Sequence, residues 1–239
     1  MNARGLLGSA VLCLGLASCD DGPQIEVTAD ATFLFALDPG ERTRLELTGF
    51  RGSVSVRGDF RETNVVVAGT RRVRAANADL AGTGLLQLEV DTGRTEQAVV
   101  VRTVQPEDDP GKNYEVDYEV TVPPGLAVWI VHEEGNVLLE ETAGDVSVDA
   151  ARGNVAASVS LPPGGSVGIT VGEGDLALRV PAATSAAVDA ATLEGTVTVS
   201  GLPLVVEERT EGSVTGTLGA GEGAISLRVA RGDILLGER

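Results

Sequence analysis

The stretch that decides the fold is a short repeat: Gly135-Asn-Val-Leu-Leu139, Gly144-Asp-Val-Ser-Val148 and Gly153-Asn-Val155, with nine residues from each glycine to the next. Glycine readily adopts the positive φ that a tight corner needs, and Asn or Asp beside it suits the same turn. Apolar and polar residues alternate after each glycine, which indicates a strand with one buried face. Looser copies open at Gly52, Gly174, Gly195, Gly212, Gly223 and Gly232.

One such unit buries too little apolar surface to be stable alone, so the units must stack on one another or face a second sheet. The sequence therefore predicts an all-β fold, a β-solenoid or β-helix-like stack of short strands with a strand-rich N-terminal half. A β-sandwich is the alternative. Strands are expected at 114–122, where apolar residues alternate without a break, and at 85–90. The segment Arg71–Leu80 is expected to form the only short helix, or a long loop.

The N-terminus has the pattern of an export signal. Arg4 provides the positive charge, and the apolar stretch from Leu6 to Leu16 is too short for a stable membrane span. We expect a signal peptide at 1–18, a modified cysteine and polar tether at 19–30, and a single elongated all-β domain at 31–239.

The junction Leu16-Ala-Ser-Cys19 resembles the lipobox of bacterial lipoproteins. The resemblance implies that Cys19 is lipidated and becomes the first residue of the mature chain, anchored by two or three acyl chains. Asp20 resembles the inner-membrane retention signal of some Gram-negative lipoproteins. A plain secretory peptide with an accidental cysteine is the alternative.

Cysteine usage and charge then restrict the function. Cys13 would leave with the signal peptide and Cys19 would carry lipid, so disulfides, thiolate catalysis and cysteine metal sites are not expected. Loss of residues 1–18 removes Arg4 and no acid, which moves the net charge from −17 to −18. Such an acidic body lacks the basic footprint that nucleic acids require, so no nucleic-acid partner is expected.

Two motifs resemble enzyme signatures without their structural context. Gly164-Gly-Ser166-Val-Gly168 matches a nucleophile elbow, which needs a strand, a turn and a helix, and a histidine in reach. A strand is expected after Ser166, and the only histidine, His132, is expected in a solvated turn. Gly219–Ala224 fits a dinucleotide fingerprint, but a strand follows it where a helix is needed. We therefore predict no catalytic residue and no cofactor.

Metal and substrate sites are also not expected. Asp145, Asp149 and Asp175 lie at the spacing of calcium β-rolls, which need more liganding oxygens per repeat than this chain offers. The paired carboxylates point to opposite faces of a strand and so do not converge; they are Glu133/Glu134, Glu140/Glu141 and Glu207/Glu208.

The remaining candidates are an arginine group and two aromatic residues. Arg71, Arg72 and Arg74 form the one local basic patch, for which loop solvation is favoured over a docking role. Trp129 and Tyr118 are expected in the core rather than in a sugar-binding site.

Over roughly residues 31–239, the chain resembles the bacterial "putative adhesin" family of unknown function. The resemblance rests on the Gly-x-Val-x-Val units, on Tyr118-Glu-Val-Thr-Val-Pro-Pro-Gly125 and on the units opening at Gly212, Gly223 and Gly232. It implies an extracytoplasmic β-solenoid-like domain and supplies no catalytic residue.

The sequence thus predicts a non-enzymatic protein, exported and lipid-anchored in the cell envelope, that presents a β-solenoid surface to a protein or an envelope polymer such as a polysaccharide. A carbohydrate-active enzyme on a β-helix and an envelope-stress sensor are the alternatives.

Overall fold

The computed structural model describes residues 26–106 and 111–239 of the chain, so the predictions for Cys13, Cys19 and Asp20 lie outside the described residues. The described elements are β1 (Val27–Leu37), β2 (Arg44–Arg51), β3 (Val54–Gly58), β4 (Val65–Ala75), α1 (Ala78–Gln87), β5 (Glu89–Arg94), β6 (Ala98–Val104), β7 (Lys112–Val122), β8 (Ala127–Glu134), β9 (Val137–Thr142), β10 (Val146–Arg152), β11 (Val155–Val159), β12 (Ser166–Glu173), β13 (Leu176–Val180), β14 (Ala186–Glu194), β15 (Val197–Ser200), β16 (Val205–Arg209), β17 (Ser213–Leu218), β18 (Gly223–Arg231) and β19 (Ile234–Glu238).

These strands form two sheets. Sheet A has the order β1-β4-β7-β3-β9-β11-β13-β19-β15, and sheet B has the order β16-β17-β14-β18-β12-β10-β8-β2-β6-β5. Along the strands of the rungs buried and exposed residues mostly alternate, and the buried residues of both sheets form one apolar cluster. Valine dominates this cluster, as expected for β-branched side chains that pack well on a pleated surface.

The repeating unit is a rung, made of one strand of sheet B, a glycine corner and one strand of sheet A. The six rungs are β2–β3, β8–β9, β10–β11, β12–β13, β14–β15 and β18–β19, and neighbouring rungs pair in parallel in both sheets. This parallel stacking confirms the β-solenoid-like prediction. The nine-residue spacing in the sequence corresponds to half a rung, because Asn136 and Asn154, eighteen residues apart, occupy equivalent corners.

The rungs do not stack in chain order. The last rung, β18–β19, lies between β12–β13 and β14–β15, so β18 pairs with both β12 and β14, and β19 with both β13 and β15. The rung β14–β15 therefore lies at the end of the stack although it comes earlier in the chain. The chain continues through β16 and β17, and its C-terminal rung, β18–β19, lies between β12–β13 and β14–β15.

Further strands close both ends of the stack. At one end β7 pairs in parallel with β3 and β6 pairs in parallel with β2. Beyond them, β4 and β1 extend sheet A and β5 extends sheet B through antiparallel pairs, and α1 contacts β1, β4 and β7. At the other end β16 and β17 extend sheet B. The first strand begins at Val27, earlier than the start at residue 31 expected from the sequence.

Two expectations for the N-terminal half were wrong. Arg71, Arg72 and Arg74 belong to strand β4, and the helix covers Ala78–Gln87, which includes the first half of the segment predicted as a strand at 85–90; β5 begins only at Glu89. Asn77 fixes the start of the helix, because its side-chain oxygen accepts a hydrogen bond from the N–H of Leu80 at 2.9 Å.

The glycine corners are of two kinds. Gly135, Gly153 and Gly174 have φ between +128° and +137°, as predicted. Gly144 does not have positive φ, which corrects the prediction for that corner. It is required for another reason: a Cβ there would lie 2.6 Å from the carbonyl oxygen of Leu126 in the neighbouring rung.

Candidate interaction surface

The positive-φ corners carry a continuous ladder of side-chain to backbone hydrogen bonds. The Oδ1 atoms of Asn136, Asn154, Asp175 and Asp233 each accept from the backbone N–H of the next rung, at 2.9, 2.9, 2.9 and 2.8 Å, the last donor being Thr196. The residue after each of these glycines therefore connects rungs. The Asn or Asp that follows the glycine in the sequence repeat is thus the side chain that makes the bond between rungs.

A second ladder runs along the end of sheet B just before these corners. Here arginine and glutamate alternate in the spatial order of the strands: Arg51, Glu134, Arg152, Glu173, Arg231 and Glu194. The Glu134 carboxylate lies 2.8 Å from Arg51 and 3.4 Å from Arg152. The hydrogen bond from Arg51, helped by the charges of both arginines, lowers the pKa of Glu134.

The carboxylate pairs do not converge on a common point. Glu133 and Glu134 are consecutive residues of a regular strand. Glu140 and Glu141 are both exposed, contrary to the prediction of opposite faces, because Glu141 adopts φ +56° and the register with β11 shifts there. Glu207 and Glu208 are also both exposed, on strand β16, whose pairing with β17 is irregular.

Ser166 and His132 are too far apart to act together. Ser166 is the first residue of β12, and its N–H donates to Asp145 at 2.7 Å. Strand β12 is separated from β8 by β10, and the registers place His132 five residues further along. These offsets amount to about 10 Å across the sheet and about 17 Å along it. The sequence match at Ser166 is thus a strand start and not a nucleophile elbow.

His132 is buried rather than solvated, which corrects the prediction. It is 1% exposed, on the inner face of β8, and its Nε2 lies 2.8 Å from the carbonyl oxygen of Gly52. Since a carbonyl only accepts, Nε2 carries the proton. A Cβ on Gly49 would lie 2.6 Å from Nδ1, so a residue without a side chain is needed at that position.

The other enzyme-like motifs also have structural roles. Gly219–Ala224 forms the turn from β17 into β18, where the Ser185 hydroxyl oxygen accepts from the N–H groups of Ala220 and Glu222 at 3.1 and 3.2 Å. A strand follows, so no helix N-terminus is available for a pyrophosphate.

The candidate calcium residues are dispersed. Asp145 accepts from Ser166 and Asp175 accepts from Asp233, each across to a neighbouring rung. Within residues 26–106 and 111–239 no group of three or more His, Cys, Asp or Glu is arranged to hold a metal ion.

The arginine group on β4 is bound to the adjacent strand. Arg72 contacts Glu115 at 2.8 Å and Asp117 at 3.2 Å, and Arg74 contacts Glu115 at 3.2 Å. Burial would raise the pKa of Asp117, but hydrogen bonds from Ser53 and the nearby Arg72 outweigh it and lower that pKa. The patch expected to be a solvated loop is part of a strand. Arg72 and Arg74 form cross-strand ion pairs, and Arg71 donates to the carbonyl oxygen of Leu88 at 2.6 Å.

The two singled-out aromatic residues lie in different sheets and differ in burial. Tyr118 is 1% exposed, as predicted; its hydroxyl lies 2.8 Å from that of Thr103, and burial raises its pKa to about 12. Trp129, in contrast, is 42% exposed on the outer face of sheet B, which corrects its expected core position.

Among the described residues, no helix has the length and hydropathy to cross a bilayer.

The outer faces of the two sheets are therefore the surfaces available for contact. On sheet A, a shallow groove of about 460 Å³ is lined by small residues, including Ala156 and Ala177, next to Asp175 and Asp233 of the corner ladder. On sheet B, the corresponding rows carry Trp129 and a run of small polar residues. Among residues 26–106 and 111–239, neither face brings the singled-out carboxylate pairs, Ser166 and His132 together.

The stacked rungs match a known protein family. Residues 127–236 match the family model described as Toastrack DUF4097. This part of the chain is similar to Toastrack domains. The match covers five of the six rungs, from β8 to most of β19, and agrees with the resemblance to the adhesin family of unknown function.

One solved structure shares the fold, and a second is more distant. A protein of Clostridium sporogenes, described as a "putative cell adhesion protein", is 12% identical and superposes with a TM-score of 0.51, over 88% of this chain and 100% of its own. One from Bacteroides fragilis, described as a "putative adhesin", is 8% identical with a TM-score of 0.25, over 90% and 98%. No functionally curated protein matches the chain. At 12% identity, the likeness to the Clostridium sporogenes protein establishes the fold alone.

Proposed function

We propose that this protein is a non-enzymatic, lipid-anchored component of the bacterial cell envelope, which presents the outer faces of its Toastrack stack to a protein or an envelope polymer. The observation that carries the proposal is the use of its corner polar groups. Asn and Asp side chains there bond to neighbouring rungs, and Arg and Glu pair with each other, while the outer faces stay accessible. Such a stack is a stable display scaffold.

The names of the structural neighbours support this direction, since both solved proteins are described in terms of adhesion. A carbohydrate-active enzyme would need converging carboxylates. Among the described pairs, Glu134 is bound to arginine, and Glu140, Glu141, Glu207 and Glu208 are exposed on their strands without converging. An envelope-stress sensor would use the same surface for a regulatory partner.

The lipid anchor follows from the segment Leu16–Cys19. Seven residues separate Cys19 from Val27, the start of β1. Fully extended, they span roughly 25 Å. The anchored domain would therefore stay close to the bilayer, with β1 and its neighbours at the end of the stack nearest the tether.

Cys19→Ser is expected to release the protein from the membrane fraction while leaving the fold unchanged, because lipid attachment is proposed to be the only hold on the bilayer. Fractionation of cells expressing the full chain, with a high-salt wash, measures this. Cys13→Ser is the matched control and should remain in the membrane fraction, since that residue is expected to leave with the signal peptide. Retention of the Cys19→Ser protein in washed membranes would contradict the anchor.

The partner can be sought by photo-crosslinking from the outer faces in living cells, followed by mass spectrometry. A protein or glycan adduct specific to one face supports the display function. Detection of substrate turnover by the purified protein would overturn its non-enzymatic part.

A further inference from the structure

A flat row of residues crosses the outer face of sheet B beside the exposed tryptophan. The strand registers align Trp129 with Ser147, Gly168 and Ser226 on four neighbouring strands. Two residues further along the strands, the next outer row includes Asp149 and Thr170. We call these six residues the Trp129 shelf. It is about 14 Å long across the strands, at about 4.8 Å per strand.

Trp129 is held in place and yet open to solvent. The Arg44 guanidinium lies 4.1 Å from the centroid of the indole ring, and its Nε donates to Glu46 at 2.6 Å. This stacking fixes the ring on the sheet. Trp129 nevertheless stays 42% exposed, although tryptophan has the largest side chain and is usually buried in soluble proteins. The exposed ring is thus an ordered aromatic platform.

The floor of the shelf beside this platform is low and polar. A Cβ added at Gly168 would meet no atom within 4 Å, so the space above that residue is open. Ser147 and Ser226 flank the glycine, and both are exposed with hydroxyl groups that can donate and accept. Asp149 and Thr170 add a carboxylate and a third hydroxyl along one side.

This combination fits the chemistry of a sugar chain. The C–H face of a pyranose ring stacks on the electron-rich face of an indole, and its hydroxyls bond to serine, threonine and aspartate. The ligand should be uncharged, because the protein carries a net charge of −17. The nearby cations Arg44 and Arg228 are already paired with Glu46 and Asp189.

A protein partner fits this face less well. Protein interfaces centre on clusters of large apolar residues in a desolvated core. Here Trp129 and Val131 are both exposed on β8, but the outer positions of the next three strands in these two rows are Ser147, Asp149, Gly168, Thr170, Ser226 and Arg228.

We propose that the Trp129 shelf binds a neutral polysaccharide that lies across strands β8, β10, β12 and β18. The inference rests on the proposed display function and specifies its partner as an envelope or environmental glycan rather than a protein.

Binding can be read directly from the protein's own fluorescence, because Trp129 is its single tryptophan. The full-length lipoprotein in detergent is titrated with dextran, mannan and xyloglucan, and with alginate as an anionic comparison. Native gels containing each polymer give a second, independent readout. At least one neutral glycan is expected to shift the emission and retard migration, and alginate is not.

Variants then test the site. Gly168→Gln fills the open floor without backbone strain and is expected to weaken binding by about tenfold, as is Trp129→Ala, while Trp129→Phe largely preserves retardation in gels. Gly82→Gln, which adds the same side chain at a glycine of α1 with open space around it and away from both outer faces, is the matched control and should bind normally. Circular dichroism confirms that each variant is folded.

Three results would overturn the proposal: no response to any neutral glycan, a preference for alginate, or unchanged binding by Gly168→Gln and Trp129→Ala. A protein crosslinked through the shelf in cells would also contradict it. Each of these leaves the membrane anchor intact, since that is decided separately by Cys19→Ser. Photo-crosslinking from the outer faces tests the display function separately, because a face-specific adduct supports that function even when no glycan binds the Trp129 shelf.

Discussion

Val146→Asp is expected to destabilise the protein by about 3–5 kcal/mol, because it places an unpaired carboxylate in the core between the two sheets. Val146 is 2% exposed and pairs with Val128 on one side and Val167 on the other, both of them buried. For a chain of this length, the melting temperature should fall by about 10 °C or more. Thermal unfolding followed by circular dichroism measures the effect.

The adjacent residue provides the control. Ser147 is exposed on the outer face of the same strand, so Ser147→Asp should change the free energy of unfolding by no more than about 0.5 kcal/mol. The two variants add the same group one residue apart. Equal melting temperatures would mean that β10 does not alternate between the core and solvent.

Gly174→Val is expected to cost about 3 kcal/mol or more, since two penalties combine. The backbone has φ +137°, which a β-branched residue adopts only with strain, and a Cβ would lie 2.2 Å from the carbonyl oxygen of Gly153. A backbone atom in a packed rung cannot move aside. The expected measurement is a large loss in the denaturant midpoint of unfolding with little change in slope.

Gly168→Val is the matched control, because that glycine lies in a strand, lacks positive φ and has open space where the side chain would go. Its midpoint should stay close to that of the parent protein. If the Gly174 variant were as stable as the Gly168 variant, the rungs would not meet at the corners as described.

The local parts of the fold could be predicted from the sequence because their causes are local. The Gly-Asx pairs mark corners, and the alternation after each glycine gives the buried face, as at Val146 and Val148. The same argument placed Tyr118 in the core. The stacking of these units followed from their inability to bury apolar surface alone.

The order of the rungs could not be predicted, because every rung has the same pattern and the same register. Gly174-Asp-Leu, Gly195-Thr-Val and Gly232-Asp-Ile are interchangeable by composition. Only pairing at long range decides that the last unit enters beside β12–β13. The prediction of positive φ at Gly144 was wrong for a related reason. A side chain is excluded there by the carbonyl oxygen of Leu126 in another rung, which local sequence does not show.

The exposed position of Trp129 could not be predicted, because the sequence around it does not alternate between apolar and polar residues. Leu126–Val131 is almost continuously apolar, so the sequence does not show which residues face outward. The structure puts Val128 and Ile130 in the core and leaves Trp129 and Val131 exposed. His132 continues the inner set, and its position at the strand end concealed this.

The insertion of the last rung is the central claim of this account, since it also brings Ser226 of β18 into line with Trp129. Hydrogen exchange on the intact protein tests it most directly, through the amides of Ile234–Leu236 in β19. Because β19 pairs with β13 on one side and with β15 on the other, we expect its amides to exchange slowly. Their exchange rates should be comparable with those of β13 and slower than those of the edge strand β15. Exchange in β19 faster than in β15, as expected of a C-terminal strand at the end of a stack, would contradict it.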